Sequence, residues 1–166
     1  MLKLTLGCMY AGKTSALIKE SSLQGQFIVI DYDRGLPHAN ILSSHDNIAL
    51  RCIKTSDLSA LNIDIFDAIF INEAQFFEGL VTFVKECLYK HKSIYVYALD
   101  GDFKQESFGE IIQLIPMCDE YVKLYALCAC GKHAPFSKRL SEKKEQYLPH
   151  DIYRPSCRRC LTLPSV

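Results

Sequence analysis

Gly7-Cys8-Met9-Tyr10-Ala11-Gly12-Lys13-Thr14 follows the apolar run at residues 2–6 and opens a helical pattern carried by Leu17, Ile18 and Leu23. Its spacing is G-x-x-x-x-G-K-[ST], a phosphate-binding loop when it lies between a strand and a helix. Successive backbone N–H groups and the positive helix end surround a polyphosphate, and the glycines keep Cβ atoms out of the way. Lys13 reaches the outer phosphates and the Thr14 hydroxyl suits Mg²⁺. At ordinary residue frequencies a chance match in a chain of this length is of order ~1%.

Working outward, residues 27–30, 65–71, 93–99 and 121–127 read as further strands, with helical spacing over 80–89 and a short helix over 108–114 near Pro116. Residues 31–47 read as a long loop with Gly35 and Pro37. Strands alternating with helices predict an α/β fold, a parallel sheet covered by helices on both faces and joined by right-handed crossovers. Beyond Leu127 the character changes, since four of the eight cysteines fall there. The expected division is a nucleotide-binding domain at 1–127 and a smaller domain at 128–166.

The chain has 166 residues, 49% apolar and 23% charged, which excludes collagen-like, coiled-coil and largely disordered classes. Nineteen basic residues balance nineteen acidic ones, so a protein that neutralises many phosphates along a nucleic acid is disfavoured. The apolar start is too short for a signal peptide and no run of 18 apolar residues occurs, so no membrane partner and an intracellular, cytoplasmic location are expected. In a reducing compartment, closely spaced cysteines point to metal before disulfides. Cys128-Ala129-Cys130 and Cys157-Arg158-Arg159-Cys160 suit a tetrahedral four-cysteine zinc ribbon, with His133 as a substitute ligand if the tight C-x-C pair falls short.

A phosphate loop needs an acidic partner at the end of a neighbouring strand. Ile69-Phe70-Ile71-Asn72-Glu73 supplies it, placing Glu73 in the crevice at the carboxyl ends of the strands.

Together these motifs resemble the type II (cytosolic, human-like) thymidine kinases. The phosphate loop, Asn72-Glu73-Ala74-Gln75-Phe76-Phe77, Ala98-Leu99-Asp100-Gly101-Asp102-Phe103 with Phe108-Gly109, Ser137-Lys138-Arg139-Leu140, and Tyr153 before Cys157 and Cys160 occur in that family's order. The resemblance implies a P-loop (RecA-like) sheet with a C-terminal zinc-ribbon and lasso part. It implies transfer of the γ-phosphoryl group of ATP to the 5′-hydroxyl of thymidine, with Mg²⁺ and structural Zn²⁺.

By the same resemblance Glu73 is the catalytic base, and Gly7 to Thr14 with Asp33, Arg34, Asn72 and Gln75 are the ATP and Mg²⁺ residues. Met9, Phe76, Leu99, Phe103, Phe108, Leu148 and Tyr153 look like walls of the nucleoside pocket, with Ser137 near the base and Arg139 near the nucleoside or phosphates. The lasso at residues 140–153 grips the base largely through main-chain groups. A homotetramer and feedback inhibition by thymidine triphosphate are implied as well.

Three departures stand out. Asn72 replaces the family's Asp, removing a charge beside the dication, so help from Asp100 or Asp33 is expected. Asp33 and Arg34 are adjacent, where the family separates the pair by one residue. The lasso is about two residues short, which bears on thymidine against deoxyuridine. Ser44-His45-Asp46 matches a family stretch without assigned chemistry, and the chain stops soon after Cys160. Two rivals remain, a nucleic-acid-dependent ATPase and a nucleotide-binding protein without catalysis.

Overall fold

The computed structural model describes residues 1–35, 40–44, 48–148 and 151–162; His45 and Asp46 lie outside that set. In chain order the elements are β1 (Leu2–Gly7), α1 (Lys13–Ser21), β2 (Phe27–Tyr32), β3 (Ile41–Ser43), β4 (Ala49–Arg51), β5 (Ile53–Thr55) and β6 (Ala68–Asn72). There follow α2 (Leu80–Tyr89), β7 (Ser93–Ala98), α3 (Ile111–Leu114), β8 (Glu120–Leu124), β9 (Ala126–Leu127), β10 (His133–Ala134), β11 (Phe136–Arg139), β12 (Tyr153–Ser156) and α4 (Arg158–Thr162).

Six strands form a parallel sheet in the order β5-β2-β6-β7-β1-β8. Period-two alternation sends Leu2, Leu4, Leu6, Ile69, Ile71, Ile94 and Val96 to one face, where α2 and α3 cover them. The buried residues of α2, Leu80, Phe83, Val84 and Cys87, recur at i, i+3, i+4 and i+7. Phe70, Tyr95, Tyr97 and Val29 face the other way, against Leu17 and Ile18 of α1. Phe70 stacks on Tyr95 with centroids 4.4 Å apart. Glu20 of α1 accepts from the Tyr97 hydroxyl at 2.6 Å and from Lys3 Nζ at 2.8 Å, fastening that helix to the sheet.

Several expectations shift. The sheet has a sixth strand, β5, paired parallel with β2, whose three residues are too few to show periodicity in the sequence. Within the segment read as loop, Ile41–Ser43 pairs antiparallel with Ala49–Arg51. The strand at 65–71 begins only at Ala68, with Ile65 exposed. Helix α1 stops at Ser21, leaving Leu23 in solvent, and the helix at 108–114 starts at Ile111. The run at 121–127 divides at Tyr125: β8 ends the large sheet and β9 turns back to pair with β10. The C-terminal part adds β11–β12 and the cysteine cluster, and its Ala134 and Ser137 hydrogen-bond to Cys8 and Met9 of the phosphate loop.

Candidate active site

The loop after β1 is shaped by a close backbone approach. A Cβ on Gly7 would stand 2.5 Å from the Leu124 carbonyl oxygen, so no larger residue fits there. Lys13 folds over the loop, its Nζ donating to the carbonyls of Gly7 at 3.0 Å and Cys8 at 2.8 Å. Burial pushes the Lys13 ammonium below its ordinary pKa, and Glu73 pulls it back up. A polyphosphate in the cradle would favour the charged form in the same way. The loop is seated from behind: Cys8 Sγ donates to the Ala134 carbonyl at 3.0 Å, and the Met9 N–H to the Ser137 hydroxyl at 2.9 Å.

Glu73 leaves the end of β6 with φ 52° and ψ 37°, a left-handed conformation uncommon for a residue with a side chain. Such strain concentrates where function needs a side chain aimed off the regular path. Its Oε1 lies 3.0 Å from Arg34 Nη2, and its Oε2 accepts from Gln75 Nε2 at 2.7 Å. Gln75 is buried and accepts the Leu99 N–H at 3.0 Å, which fixes its orientation and hence that of Glu73. A Cβ on Gly109 would meet the Gln75 carbonyl at 2.2 Å, so glycine lets Phe108 close against Phe76 at 5.2 Å between centroids.

Above Lys13 and Glu73 opens a cleft of about 290 Å³. Of the expected residues, Met9, Tyr10, Ala11, Gly12, Lys13, Thr14, Arg34, Glu73, Phe76, Leu99, Leu148 and Tyr153 line it. Phe108 backs Phe76 rather than the cleft, and Phe103 lies under the Arg139 guanidinium at 3.9 Å. Ser137 lines a smaller cavity behind the phosphate loop together with Cys8.

Arg139, expected near nucleoside or phosphates, does not itself line the cleft but stands directly behind the cleft residues Tyr153 and Asp151. Its side chain is 1% exposed, and its donors go to the Lys143, Glu145 and Gln146 carbonyls, the Tyr153 hydroxyl and Asp151. It holds the lasso in shape from inside. Tyr147, which sequence reasoning passed over, stands at the mouth: its ring meets Phe76 edge-on at 4.7 Å and its hydroxyl accepts from Arg34 Nη1 at 2.8 Å. Asp151 also lines the cleft. Only the aromatic character of Tyr147 amid charged neighbours could have signalled it.

Beside the cleft, a second cavity of about 300 Å³ brings together Thr14, Asp31, Asp33, Asn72 and Glu73. These are oxygen donors, the set a hard dication takes, so the residues fit Mg²⁺. Burial pushes the Asp31 carboxyl up, opposed by the Asn72 amide and by Lys54. Asp33 is turned to the Gly35 N–H at 2.9 Å, and Asp100 pairs with Lys123 at 2.5 Å on the cavity behind the loop.

The four cysteines converge. Their sulfurs lie within 4.8 Å of one another, and Cys130 and Cys157 are 3.6 Å apart. A tetrahedral zinc with ~2.3 Å bonds requires S···S separations of ~3.8 Å, so this donor set fits zinc. Backbone N–H groups, that of Cys130 foremost, pull the Cys128 thiol down to about 6, while hydrogen bonding to Cys130 pushes Cys160 up to about 12. The C-x-C pair therefore joins the cluster, on the tight turn between β9 and β10. His133 is not among the grouped residues; its ring stacks on Tyr125 at 5.7 Å.

The Thymidine kinase family model matches residues 1–161. The chain belongs to the thymidine kinase family. It is 34% identical to the thymidine kinase of sheeppox virus, over 98% of this chain and 97% of the relative. It is 33% identical to that of vaccinia virus (strain Ankara), covering 96% and 95%. The thymidine kinase of rabbit fibroma virus is 32% identical over 96% of this chain and 94% of its own length. As in any kinase, the family's reaction needs a nucleotide cradle and an acceptor pocket that meet. Lys13 and Glu73 line one cleft. Among the described residues no helix is long and apolar enough to cross a membrane.

Proposed function

We propose that this protein transfers the γ-phosphoryl group of ATP to the 5′-hydroxyl of thymidine, giving thymidine monophosphate and ADP, with deoxyuridine as a further acceptor. The observation that carries this reading is that Lys13, Glu73 and the lasso residues Tyr147, Leu148 and Tyr153 all line one cleft. The phosphate-loop amides and Lys13 cradle the polyphosphate and hold the γ-phosphorus in line with the acceptor. Phe76, Leu99, Met9 and Tyr147 offer an apolar slot for the base, and the lasso closes it from solvent. Glu73 takes the proton of the 5′-hydroxyl as its oxygen attacks, and ADP leaves with the bond electrons.

Thr14 and Asn72 would hold Mg²⁺, which supplies neutralisation of charge on the phosphate oxygens. Cys128, Cys130, Cys157 and Cys160 would hold a structural zinc. Residues 1–127 serve as the nucleotide part and 128–166 as the substrate part, with Arg139 positioning the lasso. A homotetramer, feedback inhibition by dTTP and a cytoplasmic location belong to the same reading and rest on the family likeness.

Incubation with labelled ATP, Mg²⁺ and each deoxynucleoside in turn tests it. Thymidine monophosphate formed together with ADP is expected. ATP hydrolysis stimulated by DNA but not by thymidine would favour the ATPase reading instead, and ligand binding without product would favour a protein that has lost catalysis.

A further inference from the structure

Asp31 and Asn72 sit directly opposite each other in the register of β2 and β6, at the carboxyl ends of both strands. Both are buried, Asp31 at 8% and Asn72 at 4% exposure. Asn72 Nδ2 donates to Asp31 Oδ1 at 2.8 Å. The other carboxylate oxygen, Oδ2, has Lys54 Nζ at 3.7 Å, an ion pair too long for a hydrogen bond. With its amide nitrogen committed to Asp31, Asn72 keeps its carbonyl oxygen as the acceptor available to another group.

We propose that Asp31 is a positioning residue for the magnesium site, supplying from the neighbouring strand the carboxylate charge that Asn72 lacks. This deepens the phosphoryl-transfer reading above and rests on it. Asp31 lines the same cavity as Thr14, Asn72 and Glu73. Of the two other carboxylates expected to help, Asp100 pairs with Lys123 on the cavity behind the loop, and Asp33, on the same cavity as Asp31, accepts the Gly35 N–H and has no hydrogen bond to Asn72. The pairing also accounts for the amide at position 72. An Asp there would set a second carboxylate against Asp31 at 2.8 Å, where two like charges oppose each other. One charge and one amide fit across the two strands, and this chain carries the charge on β2. The Asp31 charge would act on a dication held there through its hydrogen bond with Asn72.

The test is Mn²⁺ binding, followed by electron paramagnetic resonance, to the full chain with a non-hydrolysable ATP analogue, for wild type, Asp31→Asn, Asn72→Asp and the double exchange. Asp31→Asn should weaken Mn²⁺ by about 10- to 100-fold, the usual cost of losing a partner behind a metal site. Its affinity for the analogue in EDTA should stay unchanged. Asn72→Asp alone should bind Mn²⁺ no more tightly than wild type and should melt at a lower temperature. The double exchange restores one carboxylate and one amide, and should return the Mn²⁺ affinity to within about threefold of wild type, since paired residues couple.

If Asp31→Asn fails to fold, the double exchange decides by the same criterion, and a folded double variant that has lost Mn²⁺ overturns the proposal. So does wild-type Mn²⁺ affinity in Asp31→Asn, or tighter binding in Asn72→Asp alone; either leaves the kinase reading standing. A wild type that takes up no Mn²⁺ with the analogue brings down both.

Discussion

Arg34 Nη2 stands 3.0 Å from Glu73 Oε1. The same guanidinium donates through Nη1 to the Tyr147 hydroxyl, so one side chain links the end of β6 to the lasso. Both partners of the ion pair are about one-third exposed, at 34% and 28%. Stability should therefore change by less than about 1 kcal/mol in Arg34→Met. Turnover should not be spared, because the carboxylate and the lasso lose their common tether. A fall of about 10- to 100-fold in kcat/KM is expected, measured beside an unchanged melting curve.

Tyr147 offers a ring to the cleft and a hydroxyl to Arg34, and two substitutions separate them. Tyr147→Phe keeps the edge-on contact with Phe76 and should leave KM for thymidine within about threefold. Tyr147→Ala removes a ring pair worth ~0.5–1.5 kcal/mol and part of the slot, so KM for thymidine should rise about tenfold. Steady-state kinetics on both variants checks the order. Equal effects would place the hydroxyl, not the ring, in control.

Arg139 is buried with Asp151, Tyr153 and three lasso carbonyls around it. Arg139→Met leaves those acceptors without their donor and should cost about 3 kcal/mol or more. The loss should concentrate in the lasso, so limited proteolysis between residues 140 and 153 should speed up while the sheet stays protected. Arg139→Lys should recover little, since one ammonium cannot reproduce the fork.

The cysteine cluster predicts about one zinc per chain in protein purified without chelator, read by elemental analysis. Cys157→Ser should lose it. Because Cys8 and Met9 hydrogen-bond to Ala134 and Ser137, removal should weaken ATP binding as well as thermal stability. Acid should act likewise. Cys128 is pulled down to about 6, well below an ordinary thiol, so its stabilising contribution is present above the ordinary thiol range and lost as pH falls through about 6. Zinc release should steepen near that pH.

The phosphate loop and Glu73 were legible because their meaning is local: spacing within eight residues, and an acid at the end of an apolar strand. The four cysteines were legible because close pairs declare a shared ligand. The contacts of Arg139 were not legible, because its motif neighbours say nothing of which carbonyls and side chains meet it after the lasso folds back. Asp31 went unseen for a related reason. Its partner is 41 residues away, and only the β2–β6 register brings them together. Strand β5 stayed hidden because Ile53–Thr55 is short and its Ile53 is 41% exposed.

The most direct measurement is the rate of thymidine monophosphate formation by Glu73→Gln, taken beside its affinity for a non-hydrolysable ATP analogue. The account predicts near wild-type affinity and folding with turnover lowered by about 10²- to 10⁴-fold, the share of a positioned base. A variant that phosphorylates thymidine at close to the wild-type rate would contradict it.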